Sequence, residues 1–107
     1  MASKGRQILE ARASVFKALG HPSRLALIDE LVDEPKCVAD LSTVIDADIS
    51  TVSRHLSILR ASGIVSSERR GNKIYYSLRC PCVTTFYTCV ESAVGLAPLH
   101  LQDLSTE

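Results

Sequence analysis

VADLSTVIDADISTVSRHLSILRASGIVSSERRGNKIYYSL, residues 38–78, is the stretch of this 107-residue chain whose reading decides the fold. Leu41, Val44 and Ile45 mark one face of a short helix over Ala39–Ile45. Asp46-Ala47-Asp48 is a turn, and Asp48 suits the N-cap of a second helix, where its carboxylate accepts otherwise unpaired backbone N–H groups. That helix turns Val52, Leu56 and Leu59 inward and closes at Gly63. Ile64–Arg70 and Lys73–Leu78 then alternate apolar and polar residues around Gly71-Asn72. Glycine in the first turn position predicts a type II′ hairpin.

Two short helices joined by a tight turn and followed by a charged hairpin make a winged helix-turn-helix. Once the second helix buries its apolar stripe, Ser50, Thr51, Ser53, Arg54, His55 and Ser57 remain on its other faces. Short hydroxyls and an arginine there reach phosphates and base edges in a major groove, and the helix N-terminus adds affinity for phosphate. Arg69, Arg70 and Lys73 at the hairpin tip extend to the DNA backbone or the adjacent minor groove. Net charge is zero, but it is segregated. Residues 49–79 carry six basic side chains against one acidic, whereas residues 29–48 carry seven acidic against one basic. The positive excess falls on the reading segment, as double-stranded operator DNA requires.

Outward from this unit, Ile8, Ala11, Val15 and Leu19 recur at helical spacing over about Arg6–Leu19, and Gly20 is expected to end that helix in a left-handed conformation. His21-Pro22-Ser23 opens another helix with Leu25, Ile28, Leu31 and Val32 inside, ending before Pro35. A last helix is expected over Val83–Ala97, with Phe86, Val90, Val94 and Ala97 on one face. The expected class is mainly α with a small β-hairpin wing, as one domain over 1–107. Within it, 1–20 and 83–97 are association helices, 37–62 the helix-turn-helix and 64–78 the wing. No apolar run approaches the roughly 20 residues of a membrane span, and the N-terminus lacks the apolar core of a signal peptide. A cytoplasmic protein with no membrane partner is therefore expected.

The four cysteines bracket the reading unit: Cys37 before it, Cys80, Cys82 and Cys89 after it. In a reducing compartment such thiols are ligands or sensors rather than structural disulfides. The segment before the first short helix is expected to pair beside the returning hairpin strand, bringing Cys37 towards Cys80 and Cys82. Three converging thiolates favour a soft ion such as As(III), Sb(III), Cd(II), Pb(II), Hg(II), Zn(II) or Cu(I). Cys89 fits less well, because seven helical residues separate it from Cys82 by roughly 10 Å.

FKALGHPSRLALIDEL, CVADL and ISTVSRHLSILRASGIVSSERRGNKIYYSL together resemble the arsenic- and zinc-responsive repressors of the ArsR/SmtB family, over about residues 15–78. The resemblance implies a homodimeric repressor whose first and last helices associate and whose paired reading helices meet a pseudo-palindromic operator. It marks Cys37 as a ligand position, and As(III) as the favoured effector over Cd(II), Pb(II) or Zn(II), with no ion required for DNA binding. Two departures stand out. Where many members have CxC before the third helix, this chain has Cys37 and Ala39. Where zinc sensors carry Asp and His on the last helix, it has only Glu91, with His100 beyond.

Three functions compete. One is a repressor released when Cys37, Cys80 and Cys82 bind a metal(loid), and in this case Cys37→Ser abolishes the response. Another is a repressor of the same fold switched by thiol oxidation or persulfide. The third is a thiol enzyme or metal-storage protein. It lacks support, because the chain has no CxxC motif, no Cys-His-acid arrangement and no phosphate-binding glycine loop; an enzyme is not expected.

Overall fold

The computed structural model describes residues 3–96; Ala97 and His100 lie outside the described residues. In chain order the elements are α1 (Lys4–Leu19), α2 (Pro22–Glu30), β1 (Lys36–Cys37), α3 (Val38–Ile45), α4 (Ile49–Ala61), β2 (Val65–Arg70), β3 (Lys73–Leu78) and α5 (Cys82–Ala93). This is a winged helix-turn-helix, mainly helical with a small three-stranded antiparallel wing.

Local chemistry starts the helices. The Ser3 hydroxyl accepts from the Arg6 amide at 3.1 Å, the His21 Nδ1 from the Ser23 amide at 3.1 Å, and the Asp48 carboxylate from the Thr51 amide at 2.8 Å. Each supplies a partner to an amide that the helix itself leaves unpaired. Pro22 opens α2, where a missing N–H costs nothing. Between α3 and α4 the chain turns through Asp46 in the left-handed region, φ 53°, and the Ser42 hydroxyl donates to the Ala47 carbonyl. In the hairpin Gly71 has φ 66° and no other turn residue is positive, which is the II′ pattern. Gly20 departs from expectation: its φ is −83°, and what it supplies is room, since a Cβ there would lie 3.4 Å from the Phe16 carbonyl oxygen.

The sheet order is β1-β3-β2. β2 and β3 pair from Val65↔Leu78 to Arg70↔Lys73, and β1 adds Lys36↔Tyr76 and Cys37↔Tyr75. Leu27 and Ile28 of α2, Leu41 of α3, and Val52, Leu56 and Leu59 of α4 have no exposed surface and form the core with Ile64, Val65, Tyr76 and Val83. Two residues assigned to the inner stripes lie outside. Val32 falls past the end of α2 and Val44 flanks the Leu41–Ile45 line of an eight-residue helix, so both are about half exposed.

α1 contributes to this core only through Ala18 and the flanking Val15 and Leu19. Ile8, Leu9 and Phe16 of α1 stay exposed, as do Phe86 and Val90 of α5 and Val94 just past its end, where the helix stops short of the expected Ala97. The Phe16 and Phe86 rings meet at 5.6 Å between centroids, so the two helices present one continuous apolar face. Because Leu56 is fully enclosed within this core, Leu56→Ala is expected to cost roughly 2–5 kcal/mol in denaturant unfolding. A loss under about 1 kcal/mol would mean that this seam is not what holds the reading unit together.

Candidate nucleic-acid interface and thiol pair

α4 presents its polar residues in distinct environments. Arg54 and Ser57 are exposed, Ser53 and Thr51 half-buried. Ser50 is exposed but donates to Asp48 at 3.2 Å. The Asp48 carboxyl is held below its ordinary range, chiefly by the Thr51 hydroxyl, then by the Thr51 amide and the Ser50 hydroxyl. The N-terminus of α4 therefore already has an anion of its own. This weakens the expected role of the bare helix end as a phosphate site.

On the wing, Arg69 Nε donates to the Gly71 carbonyl at 3.1 Å and stays exposed. Arg70 pairs with Glu68 at 2.9 Å and lies over the Tyr75 ring at 4.9 Å. Lys73 is exposed and belongs to no ion pair among the described residues. Arg60 donates to the Ser67 hydroxyl at 3.0 Å and fixes the wing against α4.

His55 turns inward from this surface. Its Nδ1 lies 3.2 Å from Arg24 Nη1, and its ring sits 4.5 Å from that of His21. Arg24 also donates to the Ala18 carbonyl at 2.6 Å and the Lys17 carbonyl at 3.3 Å, so one guanidinium closes the end of α1 and holds α4. Desolvation, then the positive fields of His21, Arg24 and Arg54, push the His55 pKa down. Sequence reading missed Arg24 because its partner is 31 positions away. It missed equally the Tyr87 hydroxyl, which donates to Asp29 and ties α5 to α2. Burial and that carboxylate drive the Tyr87 pKa strongly upward.

The thiols separate into two places. Cys80 Sγ and Cys82 Sγ lie 3.3 Å apart at the start of α5, Cys80 half-buried and Cys82 exposed. The hydrogen bond to Cys82 raises the Cys80 pKa, and burial adds to it. Cys37 is buried elsewhere, with its thiol on Asp40 at 3.3 Å, and lines a depression of about 300 Å³ with Ile49, Ser53 and Lys73. β1 does pair with β3 as expected, but the register opposes Cys37 to Tyr75, five positions before Cys80. Five extended residues span about 16 Å. Convergence of Cys37 with Cys80 and Cys82 within one subunit is thereby corrected. Among the described residues no group of three or more His, Cys, Asp or Glu side chains is placed to hold a metal. Cys89 is exposed on α5, seven positions from Cys82 on the same continuous helix.

Residues 21–67 match the family described as bacterial regulatory protein, arsR family. The crystal structure of NolR from Sinorhizobium fredii superimposes with a TM-score of 0.75 at 31% identity, over 91% of this chain and 97% of that one. The chain belongs to the ArsR family. The homodimeric winged helix-turn-helix DNA-binding domain Mb0332 from Mycobacterium bovis gives a TM-score of 0.76 at 25% identity, over 89% of this chain and 88% of that one. The HTH-type transcriptional repressor SmtB of Mycobacterium tuberculosis strain H37Rv is 37% identical over 73 residues, which is 68% of this chain and 54% of that protein. The chain thus matches about half the length of such curated relatives. By name SmtB is a transcriptional repressor and Mb0332 a possible ArsR-family transcriptional regulator. Among the described residues no helix is long and apolar enough to cross a membrane.

The lowered His55 pKa fixes a pH dependence. The folded state holds the ring neutral, so stability from this site is present above the ordinary value of 6.5 and declines as the pH falls below it. Thermal unfolding between pH 7.5 and 5 is expected to show that decline, and His55→Gln to flatten it. Equal slopes for the two proteins would remove His55 as its source.

Proposed function

We propose that the protein is a homodimeric transcriptional repressor that leaves its operator when Cys80 and Cys82 capture a soft metal(loid), As(III) in the first place. The observation that carries the effector is the 3.3 Å separation of the two sulfurs. Sulfurs that close can bind one soft ion together through ion–sulfur bonds of about 2.3 Å each, and the likeness to arsenic-responsive repressors puts As(III) first. Each thiol replaces one hydroxide of arsenous acid, forming an As–S bond and releasing water that carries the thiol proton. The third hydroxide stays on arsenic. Cys37, buried on Asp40 and away from the pair, is not needed for capture in this arrangement.

Association rests on the shared apolar face of α1 and α5. A second copy applied there removes it from water. DNA contact rests on Ser53, Arg54 and Ser57 of α4 with Arg69, Arg70 and Lys73 of the wing. Ser50 and Thr51 stand at the helix end, and His55 acts from behind through Arg24. Capture at the start of α5 reaches the reading helix by short steps. Tyr87 holds Asp29 of α2, and Arg24, also on α2, holds His55 of α4. A shift of α5 therefore alters the spacing of two reading helices that must fit half-sites about one DNA turn apart.

Fluorescence anisotropy on the upstream operator checks the reading. Arsenite is expected to weaken binding at least tenfold, a coupling of about 1.4 kcal/mol or more. Cys82→Ser is expected to bind DNA normally and ignore arsenite, while Cys37→Ser keeps the response. Unchanged affinity with arsenite, antimonite and cadmium would discard the effector. A loss produced instead by peroxide or persulfide under chelation, and reversed by dithiothreitol, would replace it with thiol oxidation of the same pair. Arg54→Ala is expected to weaken binding at all arsenite concentrations by a similar factor; a selective loss of the arsenite response would place Arg54 in the switch instead.

A further inference from the structure

We infer that Ile49, backed by Val38 and Ile74, is a specificity-determining contact that reads the 5-methyl group of a thymine in the major groove. The inference rests on the DNA-binding reading above and assigns it a base. Ile49 is the first residue of α4 and is 57% exposed; Ile74 on β3 is 45% exposed. Both line the same depression as Val38, Ser53 and Lys73, bounded by the ends of α3 and α4 and the wing.

Folding does not account for an isoleucine there. Its side chain is absent from the core, a β-branched residue gains nothing in helix propensity, and the first turn of a helix favours acidic groups. The surroundings specify the occupant. Lys73 borders the apolar patch directly, and Arg54, Arg69 and Arg70 are exposed on the same two elements, α4 and the wing. A cationic frame attracts a polyanion, and the first residues of a reading helix are those that meet base edges. On those edges the thymine methyl is the one apolar group the major groove offers. Ser53, one helical turn from Ile49 and in the same depression, supplies a hydroxyl for a neighbouring polar edge.

The test starts from duplexes enriched by the full chain out of a random library. They are remade with deoxyuridine in place of thymidine, which removes every 5-methyl group and keeps the pairing. Wild-type affinity is expected to fall about fourfold for each methyl contacted, and single substitutions to locate the loss at one position per half-site. Ile49→Ala is expected to bind both duplexes alike, near the wild-type value for the uracil duplex. Ile74→Ala reduces the difference. Since Ile49 lies outside the core, its alanine variant is expected to keep the thermal midpoint, which shows that it folds. An equal drop for wild type and Ile49→Ala, or no drop for either, overturns the inference and leaves DNA binding in place. Failure to enrich any duplex removes the DNA-binding reading and this one with it.

Discussion

The apolar seam between Leu41 of α3 and Val52, Leu56 and Leu59 of α4 is the constraint on which everything else in this molecule depends. All four residues are fully enclosed, so the two short helices have one way to meet. α3 has only eight residues and would not persist alone in water. The seam gives it a reason to exist, and the Asp46 turn and Asp48 cap fix where α4 begins. Once that stripe is inside, Arg54 and Ser57 are left exposed on other faces of α4, while His55 meets Arg24 of α2. The wing is locked on by Arg60 and by the burial of Ile64 and Val65 at its base.

α2 is the structural intermediary. Within nine residues it carries Arg24, which holds the end of α1 and the ring of His55, and Asp29, which receives the Tyr87 hydroxyl from α5. A short helix fastened at both ends transmits displacement with little room to absorb it. The thiol pair at the start of α5 and the reading helix α4 are thus joined by side-chain contacts and not by sequence adjacency. On the proposed reading, the thiol pair at one end of α5 stands apart from the cations and hydroxyls of α4 and the wing.

The apolar face of α1 and α5 is a different kind of surface. Most of α1 lies outside the core, and Phe16 against Phe86 joins it to α5 without covering either helix. An exposed stripe of this length is a liability in a monomer and an asset in a dimer. The depression beside Ile49 is bordered by Lys73, which fits contact with a groove and not with a second apolar helix.

The 38–78 stretch by itself determined the reading unit: its helical stripes, the Asp48 cap, the glycine of the hairpin turn and the inward residues of α4 are local or near-local features, and each appears where its chemistry puts it, Val44 of α3 excepted. The charge segregation likewise pointed to the reading surface without any structure. What only the tertiary structure decided were distances between residues remote in the chain. Register placed Cys37 opposite Tyr75 and left Cys80 and Cys82 as a separate pair, because antiparallel pairing runs β3 from Tyr75 back past Lys36, away from Cys37, before Cys80 is reached. His55 faced inward because Arg24, 31 positions earlier, was there to meet it, and Ile49 was left in the open because the seam had no place for it. Periodicity tells which side of a helix is apolar; it carries no information on what lies across from the other sides.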